Sequence, residues 1–260
     1  VNGVAILEIC FASPKGGRAT GLLLVPAGPG PFPGVVVQNG APGRVDSRLI
    51  AVLRTHVMAN AMAVAQAGAV AIALEAPWAR RLEPPVTFTT QDSVDQVHLI
   101  VDLQRAVDVL LARSDVDPAR LGYVGRSYGG AMGALLAGVE RRIRAYVLQV
   151  GDGGLVSHFT LGEVGAAPPP GIDPAAWERW LRAMRPLEPI RFVGRARPAA
   201  LLLQSARQDQ AVSTAAAIAL HEAASEPKTV TWYGTGHGLS PEATGEMLAW
   251  LGREIGLRRF

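Results

Sequence analysis

Apolar residues fall along this chain in short runs, separated by longer stretches spaced for helices. Residues 4–11 and 19–25 read as two opening strands joined by the turn-prone Ser13-Pro14-Lys15-Gly16-Gly17. Apolar runs recur at 34–38, 69–74, 120–124, 145–150, 199–204 and 229–233, each with the length of a buried strand. Between them, residues 48–66, 92–112, 128–139, 213–224 and 241–256 suit helices. In 92–112, for example, Val94, Val97, Val101, Leu103, Val107 and Leu110 recur at broadly helical spacing. Buried strands alternating with helices predict an α/β fold, with a mostly parallel central sheet of about eight strands flanked by helices. Residues 151–197 break the rhythm. They contain Pro168-Pro169-Pro170 and a short helix near 174–184 with Trp177 and Trp180 on one face. The expectation is one domain over residues 1–260, with a cap-like insertion at about 151–197.

Composition narrows the picture. Apolar residues make up 49% and charged residues 18%, which suits a well-buried core and argues against disorder. The net charge is only +3, so the pI of about 9.4 reflects a slight arginine surplus and no nucleic-acid partner is expected. No apolar run is long enough to span a bilayer without polar, Gly or Pro interruption. Cys10 is the only cysteine, which leaves no internal disulfide and no cysteine-based metal cluster. The first residues lack a charged segment leading into an apolar one, so a cytoplasmic location is the default, although a leader already removed would leave no trace. A homodimer is compatible with all of this. No P-loop, dinucleotide fingerprint or His-rich motif occurs, and neither cofactor nor metal is expected.

The candidate chemistry starts at Gly125-Arg126-Ser127-Tyr128-Gly129, a G-x-S-x-G motif with an apolar strand before it and a small-residue helix after it. A serine on so sharp a turn is lifted clear of the sheet. The glycines are needed because strand and helix pass closely there. A serine hydroxyl is a weak nucleophile, so a base must reach it and a carboxylate must orient that base. Three histidines follow Ser127. His158 falls in the irregular segment and His221 within a helix, where structural roles are expected. His237, in Gly234-Thr235-Gly236-His237-Gly238 after the last strand, is the candidate base.

The stretch from Asp117 to Gly130 resembles the D-P-x-R-[IL]-x-x-x-G-x-S-x-G-G segment of the α/β-hydrolase superfamily, in particular its dienelactone-hydrolase-like and acetyl-esterase-like members. In the dienelactone hydrolases proper the nucleophile is cysteine, so serine here favours esterase chemistry. The resemblance implies the order Ser, acid, His. It places the acid at Asp209, in the loop after strand 199–204, with Asp152 after the preceding strand as the rival. It also implies two oxyanion donors, the Tyr128 N–H and, from the loop after the third strand, the Ala41 N–H. Many relatives carry His-Gly where this chain has Asn39-Gly40, and Pro42 has no N–H to offer. Trp78, after the fourth strand, either lines the active-site mouth or packs in the core. Trp177, on the helix of the insertion, either meets the substrate or packs on the main domain.

The expected function is serine-dependent hydrolysis of small-molecule carboxylic esters through an acyl-enzyme, with short acyl chains of about two to six carbons preferred because the cap narrows the pocket. Amide, peptide or thioester hydrolysis on the same fold is the alternative, and a non-catalytic binding protein is a third.

Overall fold

The computed structural model describes residues 3–38, 40, 56–81, 84–160 and 166–258. Its centre is an eight-stranded sheet: β1 (Val4–Ala12), β2 (Arg18–Pro26), β3 (Phe32–Gln38), β4 (Val70–Leu74), β5 (Val116–Arg126), β6 (Ala145–Gln149), β7 (Ala200–Ala206) and β8 (Lys228–Tyr233). The order is β1-β2-β4-β3-β5-β6-β7-β8, and β2 alone runs against the others. The helices are α1 (His56–Gln66), α2 (Pro77–Arg80), α3 (Gln91–Leu111), α4 (Tyr128–Val139), α5 (Leu155–Thr160), α6 (Pro174–Met184), α7 (Thr214–Ala223) and α8 (Pro241–Ile255).

Side chains alternate across the sheet, which explains why the central strands β3 to β7 read as unbroken apolar runs: both of their faces are buried, whereas the edge strands β1 and β8 are partly exposed. Val36, Ile72, Tyr123, Tyr146 and Leu201 join one core with α3 and α4. Val35, Ala71, Val124, Val147 and Leu202 join the other, with α1 and α8. β5 begins before the expected 120–124, because its register with β3 shifts between Phe32 and Gly34. That irregularity accommodates Pro118, which cannot donate to a ladder. The expected helix at 48–66 is described from His56 onward.

α3 buries charge as well as apolar surface. Leu99, Leu103, Val107 and Leu110 face the core, and Asp92, Asp95 and Asp102 share the buried side. Each carboxylate is partnered, as burial requires. Asp102 pairs with Arg80 at 2.5 Å and accepts from Ser13 Oγ at 2.6 Å, and Asp95 pairs with Arg81 at 2.6 Å. Asp92 accepts from the backbone N–H groups of Thr87 and Phe88 and from Trp180 Nε1 at 2.8 Å, which ties the loop before α3 to α6.

A second buried polar feature lies on the opposite face, toward α8. Asn60 Nδ2 donates to Gln149 Oε1 at 2.8 Å, and Gln149 Nε2 donates to Gln204 Oε1 at 2.9 Å. Gln204 Nε2 lies 2.7 Å from Tyr233 Oη. Four side chains from α1, β6, β7 and β8 thus form one amide chain under the carboxyl ends of the strands.

His221 on α7 is 7% exposed, with Nε2 2.9 Å from Ser205 Oγ. Burial, assisted by the Lys228 charge, pushes its imidazole down to about 4. The unfolded chain takes up a proton below about 6.5 that the folded chain refuses, so the stability this group supplies is present above that pH and is lost as pH falls toward 4, by at most about 3 kcal/mol. In urea unfolding of wild type and His221→Gln at several pH values, the gap between the two should narrow on acidification. A gap constant from pH 7 to 4.5 would show that His221 titrates normally.

Candidate active site

Ser127, Asp209 and His237 sit at the carboxyl edge of the sheet, where loops from neighbouring parallel strands converge. Ser127 joins β5 to α4 with φ 56° and ψ −124°, a conformation rare for a residue with a side chain. Two contacts hold that turn: Ser127 N–H donates to the Gln149 carbonyl at 2.8 Å, and Ala131 N–H to the Ser127 carbonyl at 3.1 Å. A β-carbon on residue 125 would lie 2.1 Å from the Gly129 carbonyl oxygen, so glycine is obligatory there. Gly40 presses on the nucleophile from the β3 side: a β-carbon there would lie 2.7 Å from Ser127 Cβ.

His237 Nε2 lies 2.9 Å from Ser127 Oγ, and its Nδ1 lies 2.9 Å from both Asp209 carboxylate oxygens. The structure therefore brings Ser127, His237 and Asp209 into one hydrogen-bonded series from three separate loops. The Asp209 side chain is 3% exposed and also accepts the N–H groups of Ala211 and Val212 at 2.8 and 3.0 Å. The loops bearing acid and histidine are joined by backbone, Arg207 N–H to the Tyr233 carbonyl and Gln208 N–H to the Thr235 carbonyl. In this geometry Ser127 can give its proton to His237 as Oγ attacks an electrophile.

Asp152, the rival acid, lies elsewhere. Its Oδ2 is 2.7 Å from Nδ1 of His158, and both residues line the cavity beside Ser127. That cavity measures about 160 Å3, and its walls include Val86, Tyr128, Leu155, Phe159 and Val212. Tyr128 opens α4, where first-turn N–H groups have no acceptor within the helix. Its phenol is held protonated by burial and by the charges of Asp92, Asp95 and Glu188. Ala41, the other expected oxyanion donor, lies outside the described residues.

The two tryptophans sit a row behind the cavity wall. Trp78 is 2% exposed and stands edge-on to the Tyr128 ring at 5.1 Å, backing it. Trp177 stacks on Trp180 at 4.9 Å, with its Nε1 donating to the Ala166 carbonyl at 3.0 Å. Neither indole is among the side chains lining the cavity at Ser127. Burial favours large apolar rings, and Trp177 packs in a cluster with Trp180, Leu181 and Met184 while Trp78 belongs to the core shared by α3 and α4.

Arg126 was not singled out by sequence reasoning. It is 9% exposed, and its Nη2 donates to the His237 carbonyl at 2.7 Å, so the residue preceding the nucleophile anchors the loop that carries the base. Burial lowers its affinity for a proton, and the Asp209 charge opposes that fall. The signal was present: a charge at the end of the apolar strand Leu121-Gly122-Tyr123-Val124-Gly125 needs an interior partner.

Residues 95–257, more than half of the chain, match the sequence model of the prolyl oligopeptidase family. No curated protein matches the chain. Among solved structures, an acetyl xylan esterase from Paenibacillus sp. R4 superposes with a TM-score of 0.76 at 19% identity, covering 97% of this chain and 85% of that one. The esterase domain of a Rhodothermus marinus protein gives 0.65 at 20% identity, over 97% and 100%. A puromycin-hydrolysing peptidase of Mycobacterium tuberculosis gives 0.72 at 19%, over 97% of this chain and 40% of that one. The shared architecture is the α/β-hydrolase fold. Among the described residues no helix is long and apolar enough to cross a membrane, and no group of three or more His, Cys, Asp or Glu is placed to hold a metal ion.

The Arg126 contact generates a prediction. A charged donor to a carbonyl contributes about 1.5–3 kcal/mol, so Arg126→Met should slow fluorophosphonate labelling of Ser127 roughly tenfold or more, with Arg126→Lys intermediate. Labelling at the wild-type rate in Arg126→Met would remove Arg126 from the positioning of His237.

Proposed function

Since the chain belongs to the prolyl oligopeptidase family, we propose that it is a serine hydrolase of carboxylic esters acting through an acyl-enzyme, with Ser127 as nucleophile, His237 as base and Asp209 as its orienting acid. The observation that carries this reading is the series of 2.9 Å contacts from Ser127 Oγ through His237 to Asp209. Ser127 Oγ attacks the ester carbonyl while His237 Nε2 takes its proton. The tetrahedral oxyanion is held by the Tyr128 N–H and, by the family resemblance, the Ala41 N–H. Collapse returns the proton from His237 to the departing alcohol. Water, deprotonated by the same imidazole, then releases the acid and restores Ser127.

Esters are favoured over peptides by the size of the cavity and by the esterase named among the structural neighbours. A cavity near 160 Å3 with apolar walls accepts a guest on the scale of one benzene ring, which suits a short acyl group. The insertion contributes Asp152, Leu155, His158 and Phe159 to the wall beside the nucleophile, which narrows the space for an acyl chain. The family match and the peptidase neighbour favour a second reading, hydrolysis of a small amide or short peptide with the same residues in the same roles.

Ser127→Ala should lower turnover of a nitrophenyl ester on the order of a millionfold with the fold retained. Asp209→Asn should cost several orders of magnitude more than Asp152→Asn; the reverse ranking would transfer the orienting role to Asp152. Along a series of nitrophenyl esters, kcat/KM should peak between two and six acyl carbons. A maximum at twelve or more, or anilides cleaved faster than matched esters, would displace the short-chain esterase reading.

A further inference from the structure

The cavity at Ser127 holds a second histidine–carboxylate pair that acyl transfer does not use. Asp152 lies in the loop after β6 and His158 on α5, with Nδ1 and Oδ2 2.7 Å apart. The Asp152 side chain is 8% exposed and its other oxygen accepts the Gly154 N–H at 3.1 Å; the His158 side chain is 35% exposed. The Phe159 ring stands edge-on to the imidazole at 5.0 Å. α5 is itself held from below, because Glu188 accepts the N–H groups of Val156 and Ser157 at 2.9 and 2.8 Å. The imidazole is therefore fixed at Nδ1, and Nε2 makes no hydrogen bond among the described residues.

Around it the wall is largely apolar, with Pro85, Val86, Val150, Leu155 and Phe159 lining the same space. A plain alkyl chain seated there would strip water from Nε2 and return nothing. A substrate oxygen would restore the lost hydrogen bond, and sites built around such a bond discriminate far more sharply than sites that count methylenes. The charge of the surroundings selects which oxygen. Asp152, Asp209 from the loop after β7 and Glu188 from the turn after α6 all act on His158. Three carboxylates would repel an anionic substrate group, whereas a neutral ether, hydroxyl or carbonyl oxygen meets no such opposition.

We propose that His158, held by Asp152, is a specificity-determining residue: in its imidazolium form, with Nδ1–H given to Asp152, its Nε2–H donates to a neutral oxygen of the substrate outside the scissile ester, so the preferred substrates are oxygenated esters over plain alkyl esters. This rests on the ester-hydrolase reading above. The Asp152 hydrogen bond, with the charges of Asp152, Asp209 and Glu188, raises the His158 imidazole above its ordinary value against the effect of burial. The donor form therefore persists to higher pH than in a free imidazole.

The test compares isosteric pairs in which one CH2 becomes an ether oxygen, an acceptor only. Nitrophenyl methoxyacetate against nitrophenyl butanoate probes the acyl side; 2-methoxyethyl against butyl acetate probes the alcohol side. The quantity read is the ratio of kcat/KM within a pair, divided by the same ratio for His158→Phe. This cancels intrinsic ester reactivity, the titration of His237 and any general loss of activity in the variant. One of the two pairs should give a quotient of roughly tenfold at the acid end of the pH range in which the enzyme turns over, the scale of one hydrogen bond, falling as pH rises and His158 loses its proton. Asp152→Asn should move that fall to lower pH, and His158→Gln should keep part of the preference. Quotients near one for both pairs, or a preference that survives unchanged in His158→Gln and His158→Phe alike, would overturn the inference. If wild type is neither labelled by fluorophosphonate nor active on any ester, the ester-hydrolase reading itself fails; labelling and plain-ester turnover with a quotient of one defeat only the role of His158.

Discussion

Where β5 gives way to α4, two stretches of backbone pass so closely that a β-carbon on residue 125 would overlap the Gly129 carbonyl. Closeness of that degree forces Ser127 into a positive φ, and the strain is borne because the neighbouring strand and helix are buried on every side. The turn is anchored to β6 by the Ser127 N–H, to the β3 loop by contact with Gly40, and to the β8 loop through Arg126. Three loops thus take their positions from one crowded turn. The nucleophile, the base and the cavity wall are registered against each other by sterics before any hydrogen bond of the series is counted.

Much of this was legible in the chain itself, for local reasons. Buried strands of a parallel sheet announce themselves as unbroken apolar runs, and all eight lie where such runs occur, with β5 extended beyond its own. The helix at 174–184 is bounded by Asp173, whose side chain caps Ala176 N–H, and by Met184. Ser127 and His237 were marked by glycines whose need is visible in the motif. Asp209 required a resemblance, since a carboxylate before a helix has an ordinary reading too.

What stayed hidden depends on contacts between residues far apart in sequence. Asp152 and His158 are six residues apart in a segment with no regular pattern, and only the fold brings them beside Ser127. Arg126 meets a carbonyl 111 positions away. For Trp78 and Trp177 the chain left substrate contact and core packing both open, and the surrounding side chains bury both. The acids of α3 are buried because Arg80, Arg81 and Trp180 reach them from other elements, contacts that helical spacing alone does not reveal.

The amide chain from Asn60 through Gln149 and Gln204 to Tyr233 has a wider significance. Its three amides, Asn60, Gln149 and Gln204, carry no proton that is gained or lost in the ordinary pH range. A truss of carboxylates and imidazoles in the same place would lengthen, shorten or swell as its charges changed. Built from amides between Asn60 and Gln204, and meeting a carboxylate, Glu246, only at its Tyr233 end, the beam joins β6 to β7 through bonds that do not change as acid and base change protonation above it.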